Sequence, residues 1–550
     1  MSSLNNSYSR LDMALADFLS LRCGLEDEAK AQFKQLVLDL SAAQQAGHSC
    51  LYVNPEQQAL LRSSPLVSAG DENTPLVLEA ARLYLQRYWR YESHLVSRIL
   101  PRLGAATAPP QLETLLDNYF PPDAASSETD WQREAAAKAA QQTFSMITGG
   151  PGTGKTTTVL KILALLQELH QGELSIALAA PTGKAAMRLQ QSLMGGKQRL
   201  PISPELKDSI PDTVSTLHRL LGPINQSIHF RHNAKHPLPF DCLVVDEASM
   251  IDLALMGKLI DAISPDARLI LLGDQDQLAS VESGAVLSDL CASLPEHTLQ
   301  LKKTYRFDGP IKALALAVNA RDADQAWQLL QDTSKPEITV VTQGVVSHML
   351  VHYAEYITLV RTFRNTAGSV SVAAAFEAFH AFQVLAAVRQ GPHGVEGLNH
   401  ELEKRLVAKG LDTYRHWYHG RPVMITRNDP SLGLFNGDIG LCLYDQGVQQ
   451  LQVWFEQSDG SHRAVMPGRL PEHETVYVMT IHKSQGSEFP HVMIVLPEQI
   501  SPLLSGELLY TAITRAKTQV DIAATQSVFN YTVKQRVQRH SGLRVKLSAR

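Results

Sequence analysis

The sequence has few cysteines and lacks the patterns by which proteins bind structural metals. Its 550 residues include only five cysteines, which are scattered and form no C-x-x-C pair. We also find no histidine cluster at metal-ligand spacing. Structural zinc, iron–sulfur clusters and disulfides are therefore not expected.

Long hydrophobic runs and a strong net charge are also missing. No run of about eighteen uncharged apolar residues occurs, and the first residues contain no basic segment followed by an apolar one. These absences predict a cytoplasmic protein. Because the formal net charge is −5, a nucleic-acid partner would have to be held by a local groove and not by a global positive field.

Composition and periodicity divide the chain into three regions. Residues 1–125 have helical periodicity and end in the segment "PPDAASSETDW", so we interpret them as a helical domain for partner docking or packing. In residues 126–330, the apolar runs "FSMITG", "SIALAAP", "CLVVDEAS" and "ARLILLGD" alternate with helical patterns. Such runs predict buried parallel strands, whose ligands bind at the strand carboxyl ends.

A second α/β unit is predicted for residues 331–550. Strand-like runs return there in "RPVMITR", "VYVMTIH" and "HVMIVLP". Between the first two, alternating residues and the turns "DQG" and "SDG" predict a small antiparallel barrel near 430–474. The last nineteen residues carry six Lys/Arg and no acid, a composition typical of a solvated end, and a role in binding DNA or a partner is the alternative.

A phosphate-binding loop is predicted at "GGPGTGKT", which fits G-x-x-x-x-G-K-[ST] and lies between a strand and a helix. Its backbone N–H groups would surround phosphates, while Lys155 reaches the β- and γ-phosphates and Thr156 offers a hydroxyl to Mg²⁺. The nucleotide-binding residues predicted here are Gly149, Gly150, Pro151, Gly152, Thr153, Gly154, Lys155, Thr156 and Thr157.

Two adjacent carboxylates follow the strand in "CLVVDEAS". Asp246 is predicted to bind Mg²⁺ together with Thr156, and Glu247 to act as the base for the attacking water. The alternative, Asp246 as a helix N-cap, does not explain the pair. The sequence therefore predicts ATP hydrolysis with ATP and Mg²⁺ as cofactors.

Further motifs indicate what the energy of ATP hydrolysis is used for. In order along the chain they are "LAAPTGKAAMRL", "VSTLHRLLG", "LLGDQDQLASVESGAVL", "KKTYRF", "TIHKSQGSEF" and "LLYTAITRAK". With the phosphate loop, this set resembles the superfamily 1 DNA helicases. Four segments resemble the RecD family, the alpha subunit of exodeoxyribonuclease V (RecBCD): "GGPGTGKTTTV", "VVDEASMIDL", "RPVMITRNDPSLGLFNGDIG" and "HKSQGSEF". The resemblance covers about residues 126 to 545.

The resemblance implies an α/β fold with two RecA-like P-loop motor domains, a helical N-terminal domain and a small SH3-like β-barrel insertion. ATP would bind between the motor domains. It further implies that Gln277 senses the γ-phosphate, and that Arg306 and Arg515 stabilise charge on it. Gln132 would recognise adenine and Glu488 would lie near the ribose. Each of these has a plainer alternative as a surface or packing residue.

Family analogy also implies contacts with DNA. The residues concerned are Thr182, Lys184, Thr216, His218, Thr480, His482 and Lys483. Hydroxyls and cations at strand ends can hold phosphates without reading the base sequence, although such residues are also common as caps. The segment 224–241 is either a β-hairpin with a basic tip that separates strands or an ordinary surface loop.

The leading hypothesis is an ATP-dependent 5′-to-3′ DNA helicase subunit of a RecBCD-like helicase–nuclease with RecB-like and RecC-like partners. It would act in double-strand break repair by homologous recombination and in DNA end degradation. We see no nuclease constellation, so cutting would belong to a partner. The alternatives are a stand-alone RecD-like helicase, disfavoured because no helix-hairpin-helix extension is evident, and a regulatory DNA-end-binding ATPase without unwinding.

Overall fold

A computed structural model gives the structure of the chain. It describes residues 8–70, 72–104, 108–121, 129–280, 282–303, 309–365, 371–457 and 460–548. Arg306 lies outside these ranges. None of the described helices is long and apolar enough to cross a membrane.

The N-terminal region contains a small sheet besides its helices. Strands β1 and β4 pair antiparallel, β3 joins β4, and β2 lies at the far edge. The prediction of a purely helical region missed this sheet because its strands are only two to four residues long. The elements are α1 (Arg10–Ser20), α2 (Asp27–Gln45), β1 (Leu51–Tyr52), α3 (Pro55–Arg62), β2 (Val67–Ser68), β3 (Leu76–Glu79), β4 (Arg82–Leu85), α4 (Gln86–Ile99) and α5 (Leu112–Tyr119).

The first α/β unit is a six-stranded parallel sheet in the order β10-β5-β9-β8-β6-β7. Its central strands are buried along their whole length, which explains their continuous apolar sequences. The elements are α6 (Trp131–Gln141), β5 (Phe144–Thr148), α7 (Lys155–Leu169), β6 (Ile176–Ala180), α8 (Gly183–Lys197), α9 (Pro204–Ser209), β7 (Ser215–Thr216), α10 (Leu217–Leu221), β8 (Cys242–Val245), α11 (Leu253–Ala262), β9 (Arg268–Gly273), α12 (Val286–Ser293) and β10 (Thr298–Gln300). The four predicted strands of this unit are confirmed.

The second α/β unit has a five-stranded parallel sheet in the order β11-β20-β19-β12-β18. Its hydrophobic core includes Ile311, Leu314 and Trp327. The two helices that start at Pro310 and Ala323 therefore pack here and not in the first unit, to which the predicted boundary at 330 assigns them. The elements before the insertion are α13 (Pro310–Asn319), α14 (Ala323–Gln331), β11 (Ile338–Val341), α15 (Val345–His352), α16 (Ala354–Asn365), α17 (Val372–His380), β12 (Phe382–Ala386) and α18 (Val395–Val407).

An antiparallel five-stranded sheet is inserted into the second unit, in the order β16-β15-β14-β13-β17. It begins at Arg421, because "RPVMITR" pairs antiparallel with the next strand instead of joining the parallel sheet as predicted. The elements are β13 (Arg421–Ile425), β14 (Ile439–Asp445), β15 (Gln450–Glu456), β16 (His462–Val465) and β17 (His473–Thr475), followed by β18 (Val478–Thr480), β19 (Phe489–Val495), α19 (Gly506–Ile513), β20 (Ala516–Ala523), α20 (Gln526–Lys534) and α21 (Leu543–Ser548).

The end of the chain returns to the first unit. Leu543 and Leu547 of α21 are buried in one core cluster with Leu95 and Ile99 of α4. Lys546 pairs with Glu92, a fully buried glutamate. The basic tail is therefore a packed helix in this part of the chain, and not the solvated end that its composition predicted.

Candidate functional site

The loop between β5 and α7 has the geometry of a phosphate cradle. Gly152 and Gly154 adopt φ of 77° and 80°, a region that residues with a Cβ rarely occupy. Gly154 caps α7, so the positive end of the helix dipole faces the loop. Thr156 lies half-buried in the first turn of α7 and Thr157 is exposed. The sequence motif thus forms the strand–loop–helix arrangement that it predicts.

The ammonium group of Lys155 lies over this loop. Its Nζ donates to the carbonyl oxygens of Gly149 at 2.7 Å and Gly150 at 3.1 Å. Thr153 Oγ1 also donates to the Gly150 carbonyl, at 2.8 Å. A positive charge is therefore fixed at the mouth of the cradle, where anionic groups would enter.

Asp246 and Glu247 follow β8 at the carboxyl edge of the sheet. Asp246 Oδ1 accepts a hydrogen bond from the backbone N–H of Glu247 at 2.8 Å. Burial and the neighbouring Glu247 raise the pKa of Asp246, whereas Lys155 lowers it. Glu247 has φ of 51°, which is uncommon for a residue with a side chain, and such backbone conformations concentrate at functional sites.

A third carboxylate, Asp274, completes this edge and was not predicted as a site residue. It follows β9 and is buried. Burial raises the pKa of Asp274 to about 6, and Lys155 opposes this increase. Gln277, a predicted site residue, donates from Nε2 to Asp274 Oδ2 at 3.0 Å. The structure therefore connects Gln277 to the phosphate loop through Asp274.

Helix α19 of the second unit reaches this edge from the other side. The hydroxyl of Tyr510 donates to Asp274 Oδ2 at 3.2 Å. A Cβ built on Gly150 would lie 2.9 Å from the same hydroxyl oxygen, closer than real Cβ atoms approach other atoms. The tyrosine therefore lies directly against the loop, and a larger residue at position 150 would have to displace it.

A second contact between the units involves the backbone of Leu278. Its N–H donates to Thr511 Oγ1 at 2.8 Å, and its carbonyl accepts from Gln485 Nε2 at 3.0 Å. Thr511 is fully buried, and Gln485 is also buried. The segment that carries Gln277 is thus hydrogen-bonded on both sides to the second unit.

Arg515 is buried within the second unit. Its Nε donates to the Thr511 carbonyl at 3.1 Å and its Nη1 to the Ser487 carbonyl at 3.2 Å. Arg515 follows Tyr510 by five residues, just beyond the end of α19, and its guanidinium makes its hydrogen bonds to its own unit and not to the phosphate loop.

The remaining predicted nucleotide contacts are less closely grouped. Gln132 is half-buried in the first turn of α6, and its backbone N–H donates to the capping residue Asp130 at 2.9 Å. Glu488 is half-buried, and its carbonyl accepts from Arg188 at 3.3 Å. Arg306 lies outside the described residues.

Three predicted DNA contacts are threonines at strand carboxyl ends, and two of them, Thr182 and Thr216, cap helices. The side-chain oxygens of Thr182, Thr216 and Thr480 accept backbone N–H bonds at 3.2, 3.3 and 3.3 Å. These caps are the plainer alternative raised by the sequence. An accepting hydroxyl still carries a hydrogen to donate, so capping does not prevent contact with a phosphate.

The predicted DNA-binding cations differ in their surroundings. Lys184 is half-buried with its Nζ 6.0 Å from the centre of the Phe489 ring, and burial lowers its pKa to about 8. Lys483 forms an ion pair with Glu474 at 2.6 Å, so its charge is already balanced. His218 and His482 are exposed. The structure thus leaves only part of the positive charge of these residues available.

The segment 224–241 does not form the β-hairpin that was one of its two interpretations. All of its residues are described, and only two isolated antiparallel bridges, Pro223 with Phe230 and Asn233 with His236, occur in or beside it. Arg231 and Lys235 are exposed and His232 is half-buried. The geometry is that of a bridged surface loop.

Sequence reasoning missed four residues that join the two units: Asp274, Gln485, Tyr510 and Thr511. Asp274 follows an apolar strand just as Asp246 does, so the same pattern identifies it. Tyr510 and Thr511 are the polar residues within the apolar run of α19, a weak signal that only the packing makes meaningful.

Comparisons with known proteins agree with this arrangement. Residues 132–283 match the family described as AAA domain, and residues 475–522 match the UvrD-like helicase C-terminal domain. The chain is 38% identical over 529 residues to RecBCD enzyme subunit RecD of Haemophilus influenzae, covering 85% of this chain and 80% of that protein.

A second relative is the ATP-dependent RecD2 DNA helicase of Deinococcus radiodurans. It is 32% identical over 537 residues, covering 92% of this chain and 67% of that protein. Among solved structures, Pif1 helicase from Bacteroides in complex with ADP-AlF3 and ssDNA is 17% identical and has a TM-score of 0.39, covering 73% of this chain and 94% of the other. That structural similarity is too low to support a conclusion about this chain.

Proposed function

The chain belongs to the family of RecBCD enzyme subunit RecD, and from this premise we propose that it is an ATP-dependent DNA helicase and translocase subunit. It acts in recombination repair of double-strand breaks and in DNA end degradation, with RecB-like and RecC-like partners that supply the nuclease. The observation that carries this proposal is the contact of Tyr510, on the second unit, with Asp274 beside the phosphate loop of the first.

The domain organisation that we propose has two RecA-like motors. The first is built on the sheet that includes β5 and the second on the sheet that includes β19. The N-terminal region docks the chain on a partner, and the antiparallel sheet between Arg421 and Thr475 is an SH3-like insertion. In this proposal the nucleotide binds between the motors, at the carboxyl ends of the strands of the first parallel sheet.

The residues present fit a nucleotide with Mg²⁺. Two carboxylates, Asp246 and Asp274, approach the single ammonium of Lys155, so the edge has an excess of negative charge that favours a divalent cation. The bound nucleotide would supply the phosphoanhydride whose hydrolysis drives movement. Thr156 and Asp246 would hold the metal ion, and the loop N–H groups and Lys155 would hold the phosphates.

The proposed catalytic roles follow from position. The Glu247 carboxylate accepts a proton from the attacking water, and Gln277 orients that water and reports the phosphate state to the Leu278 backbone. Arg515 and Arg306 stabilise charge on the transferred phosphoryl group. For Arg515 this requires that its guanidinium leave the Thr511 and Ser487 carbonyls when the motors close.

We propose that single-stranded DNA passes the three threonines at the strand carboxyl ends. Thr182, Thr216 and Thr480 donate their hydroxyl hydrogens to phosphates, and the exposed rings of His218 and His482 add contacts without reading base edges. Lys184 and Lys483 contribute less charge than their types suggest, because one is half-buried and the other is paired.

The test combines hydrolysis with assembly. We expect Lys155→Gln to abolish DNA-stimulated ATP hydrolysis and to leave co-purification with the partner subunits intact. Lys161→Gln, on the same helix but beside the Phe120 ring, is the matched control and should retain hydrolysis. Undiminished hydrolysis in Lys155→Gln would disprove the site.

The same preparation separates the alternative functions. Co-purification with partners contradicts a stand-alone helicase. If the wild-type complex unwinds DNA and Lys155→Gln weakens that unwinding, a regulatory ATPase that never unwinds is also contradicted. DNA substrates with only a 5′ or only a 3′ overhang test the direction of movement. If a partner motor obscures the result, the isolated chain is assayed. Unwinding by this chain from 3′ overhangs alone would overturn the proposed 5′-to-3′ movement.

A further inference from the structure

A cluster of three histidines surrounds one buried aspartate in the second unit, away from the nucleotide edge. His348 and His352 lie four residues apart on α15, His491 lies near the start of β19, and Asp521 lies on β20. Asp521 is fully buried, whereas the side chains of His348 and His352 are 29% and 27% exposed. The two histidines of α15 are therefore partly reachable from solvent.

We propose that His348, His352 and Asp521 bind a divalent transition-metal ion of the zinc class, which fixes α15 to the sheet. Their ligand atoms all lie within 4.8 Å of one another. The Nε2 atoms of His348 and His352 are 2.7 and 3.8 Å from Asp521 Oδ2. Zinc bonds of about 2.0–2.2 Å in a tetrahedral site need ligand atoms about 3.4 Å apart, so shifts of under about 1 Å suffice.

Hydrogen bonds hold both carboxylate oxygens of Asp521 in place. The Nε2 atoms of His348 and His491 each lie 2.7 Å from Oδ2. Thr339 Oγ1 donates to Asp521 Oδ1 at 2.6 Å, and this leaves Oδ2 directed at the histidines. A carboxylate and two imidazoles are ligands that zinc accepts, with water in the remaining position.

Hydrogen bonding alone does not explain the orientation of the His352 ring. Within the described part of the chain its ring makes no hydrogen bond, yet it points Nε2 at the carboxylate from 3.8 Å. The ring stacks on Phe382 with centroids 4.8 Å apart and lies 4.5 and 4.4 Å from the rings of His348 and His491. The ring therefore lies against the carboxylate and both neighbouring imidazoles.

His491 acts behind the coordinating residues. Its Nε2 donates to Asp521 Oδ2 at 2.7 Å, the arrangement by which outer hydrogen bonds orient metal-binding carboxylates. When an ion binds, it takes the place of the proton between His348 Nε2 and Asp521 Oδ2, and neutral His348 then carries its proton on Nδ1. The expectation from sequence that no histidines lie at metal-ligand spacing is wrong, because "HMLVH" places two of them four apart on a helix.

The test uses the full chain, treated with a chelator and then equilibrated with Zn²⁺ or with Co²⁺ as a spectroscopic probe, in buffer without nucleotide or Mg²⁺. Wild-type protein should retain one equivalent of Zn²⁺ after gel filtration and give the visible absorption of tetrahedral Co²⁺. His352→Gln should lose both signals, because it removes a ligand and leaves both hydrogen-bonding partners of Asp521 Oδ2 in place.

Thermal melting separates metal loss from misfolding. In chelator, His352→Gln should melt at the wild-type temperature, and only the wild-type chain should be stabilised by added Zn²⁺. His416→Gln, at a histidine whose ring lies 6.0 Å from that of His473, is the control and should bind Zn²⁺ like the wild type. Wild-type protein without stoichiometric Zn²⁺, or equal binding by His352→Gln, would overturn the proposal.

Discussion

The hydroxyl of Tyr510 donates a hydrogen bond to Asp274 Oδ2 at 3.2 Å, although 236 positions separate the two residues. Asp274 follows the strand beside the phosphate loop, and Tyr510 lies on the helix of the second unit that also precedes Arg515. The bond is buried, so its formation depends on how closely the two units approach. In the proposed mechanism, this bond is the route by which the nucleotide site affects the second unit.

Tyr510→Phe tests that route. The change removes one buried hydrogen bond to a carboxylate, worth about 1.5–3 kcal/mol, without altering the ring. We expect kcat for DNA-stimulated ATP hydrolysis to fall about tenfold or more, with a smaller change in KM. Steady-state ATPase assays measure both constants. Tyr444→Phe, in the antiparallel insertion, should retain wild-type values, and an unchanged kcat in Tyr510→Phe would mean that the bond is only structural.

Thr511→Val tests the second contact between the units. It leaves the buried N–H of Leu278 without its acceptor, at a cost of about 1–3 kcal/mol. We expect basal hydrolysis to persist while stimulation by single-stranded DNA decreases, because the segment after Gln277 loses a bond to the second unit. Thr511→Ser keeps the hydroxyl and should restore stimulation. Equal loss in the valine and serine variants would indicate a packing effect instead.

The parts of the fold with local signals could be predicted from the sequence. The apolar runs ending at Thr148, Ala180, Val245 and Gly273 have the continuous hydrophobicity of strands buried on both faces, and each is a strand. The phosphate loop follows from its glycines and its position between strand and helix. In both cases the determining interactions are close in sequence.

Features that depend on distant partners could not be predicted in this way. The basic tail is indistinguishable from a solvated end until Glu92 and Asp289 are seen beside it. Lys483 has the type of a DNA-binding cation, but Glu474, brought close by the insertion, balances its charge. The apolar run that begins at Arg421 is compatible with a strand in a parallel or an antiparallel sheet. Only its pairing with other strands distinguishes the two.

Arg515→Ala distinguishes a catalytic from a packing arginine. If the guanidinium reaches the phosphoryl group when the units close, nucleotide affinity should change little while turnover falls by about 10²-fold or more. Equilibrium binding of a fluorescent nucleotide and single-turnover hydrolysis measure the two effects. Loss of the bonds to Thr511 and Ser487 should also lower the melting temperature. A parallel decrease in affinity and turnover would support packing alone.

Leu543→Ala tests the packing of the C-terminal helix. Leu543 is 1% exposed in a core that it shares with α4, so truncation should lower the free energy of unfolding by about 2–4 kcal/mol. Val545→Ala on the same helix removes a side chain that is 48% exposed and should change it by under about 0.5 kcal/mol. Denaturant titrations of both variants provide the comparison, and equal stabilities would mean that the helix does not pack in solution.

Ionisation of Asp274 should have opposite effects on stability and on activity as the pH rises. Its pKa of about 6 in the folded chain exceeds the ordinary value of 3.8, so the folded state holds this proton more tightly than the unfolded state does. The free energy of unfolding therefore decreases as pH rises from about 4 to 6, by up to roughly 3 kcal/mol from this group. Hydrolysis should instead rise over the upper part of that range, because the ionised carboxylate accepts the bonds from Gln277 and Tyr510. The Asp274→Asn side chain cannot ionise. The melting temperature of this variant minus that of the wild type should therefore be higher at pH 7 than at pH 5. An equal difference at both pH values would contradict the raised pKa of Asp274.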